Sequence, residues 1–330
     1  VLNKPAELDE RNLQAMLRER WGIAGQDLNY VPLGAGSHHW SLSADSGQKW
    51  FVTVDDLGAD PTERDARYSR LRRAFEAAVL LRREADLGFV LCPAPDCTGQ
   101  IVHRLGDRFA ISVRLMLEGR AGAFGPYRAA EAAPVIDMLR RLHRATSTVA
   151  TVADADDLAL PGEDRLRCHL AESGERWRDG PLSDPARAML TSCAEQVDRL
   201  LISRAQLVEQ VGDLPFVVTH GEPHPGNVLQ GLERLWLLDW DTCLLAPLER
   251  DLWMVGDGGF EAYRRYEAAG GYRISQPALK FYRLSWSLKN ISVSLTALRR
   301  PHSRTAEASR SWNVLKHYLH GLESFSAFWR

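Results

Sequence analysis

Two short blocks constrain this chain more than anything else in it: His220-Gly221-Glu222-Pro223-His224-Pro225-Gly226-Asn227, and shortly after it Asp239-Trp240-Asp241. Phe216-Val217-Val218-Thr219 runs into the first block and Val228-Leu229 runs out of it, while Leu235-Trp236-Leu237-Leu238 leads straight into the two acids. Short apolar, β-branched runs of this kind read as strands. The order is therefore strand, polar loop, strand, acid pair. Phosphoryl transfer uses such a set. One carboxylate orients or deprotonates an attacking hydroxyl, while an amide oxygen and a second carboxylate hold magnesium, which spreads the charge on the phosphates. Asp239 carries the strongest signal, because a carboxylate that ends an apolar strand beside an Asn-bearing loop is a hard-oxygen cation site. Asp241 either binds a second metal ion or caps the turn.

Bulk properties narrow the class. A chain of 330 residues suggests one large domain or two lobes. With 25% charged and 45% hydrophobic residues it is neither a disordered nor a membrane composition. A formal net charge of -2 gives no electrostatic argument for nucleic acid or an anionic membrane as partner. Cys92, Cys97, Cys168, Cys193 and Cys243 are scattered, and Cys92-Pro93-Ala94-Pro95-Asp96-Cys97 has no second pair to complete a zinc site. Reduced thiols, the lack of any membrane-length apolar run and a charged N-terminus lead to the expectation of a cytoplasmic protein, monomer or homodimer.

Along the chain, Leu8, Leu13, Met16, Leu17 and Trp21 fall at helical intervals. Three β-type runs follow, 28–31, 39–42 and 50–54, the last two joined by the turn Asp45-Ser46-Gly47. A long charged helix is expected over 64–85, then two strands around Gly106-Asp107, at 101–103 and 109–113. From Glu118-Gly119 onward the chain turns mainly helical, with helices around 135–143, 185–211, 277–298 and 305–328 and an acidic loop over 151–164. A strand-rich front and a helical back with a small embedded sheet give an α+β architecture.

The two blocks resemble those of the aminoglycoside phosphotransferase and choline kinase family, small-molecule relatives of the protein kinases. That family's loop reads His-Gly-Asp, four residues, Asn, and its metal strand ends in Asp-Trp/Phe-Asp/Glu. Pro247-Leu248-Glu249-Arg250-Asp251-Leu252 is similar to the helix start that follows in the family, and with Leu245-Ala246 the region looks closest to spectinomycin-type phosphotransferases. The resemblance implies a bilobal, kinase-like fold: a nucleotide lobe over 1–113, a hinge after it, and a helical lobe over 114–330 with the catalytic loop, metal site and acceptor pocket. It further implies ATP or GTP as phosphoryl donor, Mg2+ held by Asn227, Asp239 and Asp241, and a catalytic set of Glu222, Asn227 and His220. Within that set His220 is a hydrogen-bonder that holds the loop. Glu249, Arg250 and Asp251 are read as scaffolding for the same loop.

The nucleotide side is placed by the same resemblance. Gly34-Ala35-Gly36-Ser37 sits between strands, where backbone amides can approach phosphate oxygens. Its position matches the family's phosphate loop, so Gly34, Gly36, Ser37 and His38 are expected at the nucleotide. Leu115 and Leu117 are expected to border the base, with ordinary apolar packing as the alternative. Two positions depart from the pattern. The loop acid is Glu222 where the family has Asp, and Thr53 stands where the family carries its nucleotide Lys. Glu76, the expected partner of that Lys, is then either a solvated helix residue or a sign that the charge arrives from elsewhere. His38 and His39 are the nearest candidates, and Lys49 lies about 13 Å along the strand from Thr53.

The expected acceptor is a small cationic molecule, such as an aminoglycoside or aminocyclitol, which needs carboxylates around it. Asp257, Glu261 and the acidic 154–164 loop offer some. Choline, homoserine and sugars stay open as acceptors. A competing class is a binding module of pseudokinase type that keeps the cleft without turnover.

Overall fold

The structure is a computed structural model, and it describes residues 3–25, 27–34, 36–256, 260–268, 270 and 272–322. The chain divides into two compact units, one made of 1–156 with 215–274, the other of 157–214 with 275–330.

The first unit begins with α1 (Glu10–Trp21), capped by the Asp9 carboxylate and ended by Gly22 at φ 64°. The strands β1 (Asp27–Val31), β2 (His38–Ser43) and β3 (Lys49–Asp56) follow. Next comes α2 (Pro61–Arg83), with Asp60 as its cap and Pro61 in its first turn, where a missing N–H costs nothing. Then come β4 (His103–Leu105), β5 (Phe109–Leu115), the short β6 (Arg120–Ala121), α3 (Ala129–Arg144) and α4 (Thr146–Val149).

The first five strands make one antiparallel sheet in the order β1-β2-β3-β5-β4. Side chains alternate across it. Trp40, Leu42, Val52, Val54, Phe109, Ile111 and Val113 form one face and pack with Leu13 and Leu17 of α1 into a core. The opposite face carries a different set. His39 pairs with Thr53 and Thr53 with Ser112, while Ser41 pairs with Phe51 and Phe51 with Arg114. A face built of hydroxyls, an imidazole and a guanidinium is made to meet polar ligands, not a core.

The second unit takes α5 (Glu163–Ala171) and α6 (Ser183–Gly212). The chain then returns to the first unit with β7 (Phe216–Thr219), a 3-10 turn over Pro225–Asn227, β8 (Val228–Gln230), β9 (Leu235–Leu237), β10 (Leu244–Pro247), α7 (Glu249–Val255) and α8 (Phe260–Ala268). β10 pairs with β7, and β8 pairs with both β6 and β9. The second unit closes with α9 (Gln276–Leu298) and α10 (Ala306–His320). Its core joins Leu190, Val197 and Leu201 of α6 to Leu288, Ile291 and Leu295 of α9 and Leu315 of α10. The fold is thus α+β and kinase-like, an antiparallel N-terminal sheet followed by a mainly helical remainder. Among the described residues no helix is long and apolar enough to cross a membrane.

Candidate active site

The loop after β7 is fastened on several sides before any ligand is considered. It turns at Gly221, whose φ is 96°, and a Cβ there would lie 2.4 Å from the Arg250 guanidinium, so both backbone angle and space require glycine. Asp251 on α7 accepts the N–H of His220 at 3.0 Å and that of Gly221 at 2.6 Å. The same carboxylate meets His143 Nε2 at 3.0 Å, and His143 Nδ1 lies 2.7 Å from the Tyr266 hydroxyl. Burial pushes the Asp251 pKa upward, but the His143 bond and the neighbouring positive groups outweigh it and hold the carboxyl below its usual range. Arg250 donates to the Thr219 hydroxyl at 2.8 Å and the Thr242 carbonyl at 2.9 Å. The Thr242 hydroxyl donates to the His220 carbonyl at 2.8 Å, and Tyr127 donates to the Pro223 carbonyl at 2.7 Å.

His220 ties this loop to the acid-bearing strand end. Its ring is fully buried. Nε2 donates to the Leu238 carbonyl at 2.6 Å, while Nδ1 accepts the Glu222 N–H at 3.2 Å. Those two bonds fix the neutral tautomer, and burial takes its pKa down to about 4. It is a fastener, not a proton carrier. Trp240 closes over it edge-to-face, with ring centroids 4.7 Å apart. Asn227 Nδ2 donates to the Glu222 carbonyl at 3.0 Å, which leaves the amide oxygen for a cation. The Leu238 N–H donates to the Asn227 carbonyl at 2.8 Å. Together with the β8–β9 pairing, that bond sets Asn227 next to Asp239, whose own φ of 64° lies in the left-handed region that Asp tolerates.

Asp239 and Asp241 meet the polar face of the sheet across a cleft lined also by Thr53, Asp55, Ser112 and Arg114. The Ser37 hydroxyl donates to Asp55 Oδ1 at 2.5 Å, and Asp55 Oδ2 is buried with no hydrogen-bond partner. Desolvation, with Asp239 adding repulsion against the relief from Ser37, pushes the Asp55 carboxyl up to about 7. Solvent reaches Asp239, but the cleft walls desolvate it, and that effect and the Glu222 charge push it up to about 6 while Arg114 pulls the other way. Acids that resist ionising together form a donor set that a divalent cation would complete. Among the described residues no three His, Cys, Asp or Glu side chains form a closed metal cage. An open set of one amide and one or two carboxylates suits magnesium, which keeps waters and phosphate oxygens as its other ligands.

Several expected positions fall elsewhere. His38 alternates onto the core face, with the Tyr30 hydroxyl 3.3 Å from Nδ1 and Trp40 beside it, so it does not share a face with Thr53. His39 does share that face, its Nδ1 3.3 Å from the Thr53 hydroxyl, but it carries no charge at neutral pH. Desolvation first, and then the nearby Arg114, take its pKa to about 4. Lys49 lies exposed at the far end of β3, opposite Ser43. None of the three sits as the replacement cation. The cation that lines the cleft is Arg114, which the sequence reading missed; the signal was the alternation of Ala110, Ser112 and Arg114 against Phe109, Ile111 and Val113. Glu76 pairs with Arg72 at 2.6 Å.

Gly34, at φ 70°, lies close over His39, where an added Cβ would be 3.3 Å from Nε2, and Gly36 is open. Ala35 and Asp257 lie outside the described residues. Leu115 is exposed at the end of β5 and Leu117 is half-buried; neither lines the cleft, though the Met116 N–H holds that segment to the Lys49 carbonyl at 3.0 Å. Two of the expected acceptor acids are engaged by arginines. Asp154 accepts from Nε and Nη2 of Arg73 at 2.7 and 2.8 Å, and Glu261 pairs with Arg264 at 2.9 Å.

Known proteins match this chain over most of its length. Residues 29–283 match the family described as the phosphotransferase enzyme family. Protein StrN of Streptomyces griseus is 28% identical over 311 residues, covering 88% of this chain and 86% of that protein. A spectinomycin phosphotransferase solved with ADP and spectinomycin superposes with a TM-score of 0.75 at 17% identity, over 96% of this chain and 98% of its own. A microcompartment-associated aminopropanol kinase superposes with a TM-score of 0.66 at 13% identity, over 97% of this chain and 98% of its own.

Proposed function

This chain belongs to the phosphotransferase enzyme family and is a small-molecule phosphotransferase acting on an alcohol group; from that premise we propose that it moves the γ-phosphate of ATP or GTP to a hydroxyl of a small cationic acceptor of aminocyclitol or aminoglycoside type. The observation that carries this reading is the placement of Asn227 and Glu222 beside Asp239, at the edge of a cleft whose other wall is the polar face of the sheet.

In this reading residues 1–113 form the nucleotide lobe, with Gly34, Gly36 and Ser37 near the phosphates, and 114–330 carry the catalytic loop, the metal site and the acceptor pocket. Glu222 accepts the hydrogen bond of the incoming hydroxyl, orients its oxygen in line with the phosphoryl group and takes the proton as the bond forms. Asn227 and Asp239, with Asp241 alongside, would hold Mg2+, whose chemistry is to neutralise charge on the phosphate oxygens. Neutral His220 keeps Glu222 and the Leu238–Asp239 corner in register. The cationic acceptor is supported by the likeness of fold to an enzyme solved with spectinomycin.

The test is a product-mass assay with Mg·ATP and Mg·GTP over a panel of aminocyclitols, aminoglycosides, choline, homoserine and sugars. A phosphorylated aminocyclitol or aminoglycoside is the expected product. Phosphorylated choline, homoserine or sugar with no antibiotic product would move the chain to a metabolic role. Nucleotide binding without product from any acceptor would favour the binding-module reading.

A further inference from the structure

A triphosphate brings several negative charges into a cleft that already holds Asp55, Asp239 and Asp241, and Thr53 offers nothing to neutralise them. We propose that Arg114 binds the terminal phosphates of the donor nucleotide, supplying from β5 the positive charge that Thr53 on β3 does not. The proposal rests on the reading of this chain as a nucleotide-dependent kinase.

Register places the residue. Phe51 pairs with Arg114 and Thr53 with Ser112, so Arg114 sits diagonally across from Thr53 on the same face of the sheet. Such diagonal neighbours are about 7–8 Å apart, within reach of a long side chain. Thr53 and Ser112 are both small, which leaves open the ground between the Arg114 guanidinium and the acid-bearing corner. The guanidinium rests on the Phe51 ring, with Cζ 4.1 Å from the centroid, and this contact holds the side chain over the face before a ligand arrives. Among the described residues it makes no hydrogen bond or ion pair, and its electrostatic partner is Asp239. Its N–H donors are therefore available in the cleft, and a planar fork suits phosphate oxygens better than a point charge does. Desolvation takes its pKa only to about 10, so it stays charged at neutral pH. The competing cations fail on geometry or charge: His38 is on the other face, His39 is neutral, and Lys49 lies at the exposed strand end.

The experiment is equilibrium binding of Mg·ATP, Mg·GTP, adenosine and guanosine to the wild type and to R114Q, R114K and the double variant R114Q/T53K. Loss of charge-assisted bonds to phosphate should weaken binding of the preferred triphosphate by about 10–100-fold in R114Q, and its nucleoside affinity should not change. R114K should fall between. T53K should restore most of the loss in the R114Q background, an effect that a merely structural role for Arg114 would not produce. Equal triphosphate affinity in R114Q and wild type would overturn the proposal and leave the kinase reading standing. Equal loss of nucleoside and triphosphate would make Arg114 a packing residue and overturn it too, as would a double variant no better than R114Q. Wild type that binds neither triphosphate would overturn the kinase reading and the proposal with it. Should R114Q fail to fold, phenylglyoxal footprinting of the wild type decides. Mg·ATP or Mg·GTP, but not the nucleoside, is expected to protect Arg114; equal labelling with and without triphosphate overturns the assignment.

Discussion

At the scale of single residues, Glu222 poses a problem of reach. Its side chain is longer than Asp by one methylene, about 1.5 Å, and a misplacement near 1 Å can cost about a hundredfold in rate. The backbone around it has little room to compensate, since Tyr127 fixes the Pro223 carbonyl, Asn227 fixes the Glu222 carbonyl and the Gly122 N–H fixes the Pro225 carbonyl at 2.9 Å. If the acceptor pocket is set back to suit Glu, E222Q should lower turnover by about 10²–10⁴-fold with nucleotide affinity intact, and E222D should not improve on wild type. Steady-state kinetics beside a binding titration decide it; a faster E222D would mark Glu222 as a damaged base. His39 offers a second test at this scale. Unfolded, its ring takes a proton near the usual 6.5, but folded it does so only near 4, so the unfolded chain holds the extra proton between those values. Stability contributed at this position therefore falls as the pH drops from 6.5 toward 4 and changes no further below. Relative to H39Q, the wild type should lose about 2 kcal/mol over that window, measured by urea unfolding at a series of pH values. A pH-independent difference would mean that the ring is protonated in the fold.

At the scale of elements, the unit that matters is β7, its loop and α7. D251N removes the charge that two loop N–H groups and His143 share, in a place no water reaches. It should cost about 2–4 kcal/mol of stability and most of the activity. G221A forces a Cβ into a backbone of φ 96° and pushes Arg250 off Thr219 and Thr242; about 2 kcal/mol and a large fall in turnover are expected. Thermal melts and kinetics of both variants check this, and a G221A enzyme of wild-type activity would sink the idea that this turn sets the loop. The loop and its support were legible in the sequence because they are local: a strand, a polar loop, a strand and an acid pair occupy one short span, and Arg250-Asp251 follow at a helix start. The nucleotide face was less legible because it depends on register. Nothing in His38-His39 says which imidazole looks into the core until β2 is paired with β3. Arg114 comes onto the face of Thr53 only because β5 pairs with β3 across an intervening helix and strand. The alternation in β5 was present in the sequence, but alternation alone does not say which strand it lies against.

At the scale of the whole molecule, the described residues that line the cleft, and the whole of the catalytic loop, fall in the unit made of 1–156 with 215–274, although they come from strands far apart in sequence. Binding energy from a nucleotide should therefore enter the stability of that unit first. A ligand at a hundred times its Kd adds about 2.7 kcal/mol to the state that binds it. Hydrogen exchange gives this a spatial form. Saturating Mg·ATP or Mg·GTP should slow exchange in peptides from β3, β5 and 216–241, while α6, α9 and α10 of the other unit, whose core is Leu190, Leu288 and Leu315, keep their rates. Removing magnesium with a chelator should lose part of that protection at 216–241 and part of the rise in Tm. In D239N the chelator should change little, because the carboxylate that makes the metal worth binding is gone. Protection concentrated in α6, α9 and α10 would move the nucleotide site to the second unit. A magnesium response undiminished in D239N would take Asp239 out of the metal site and leave Asn227 without the neighbour on which the proposed chemistry depends.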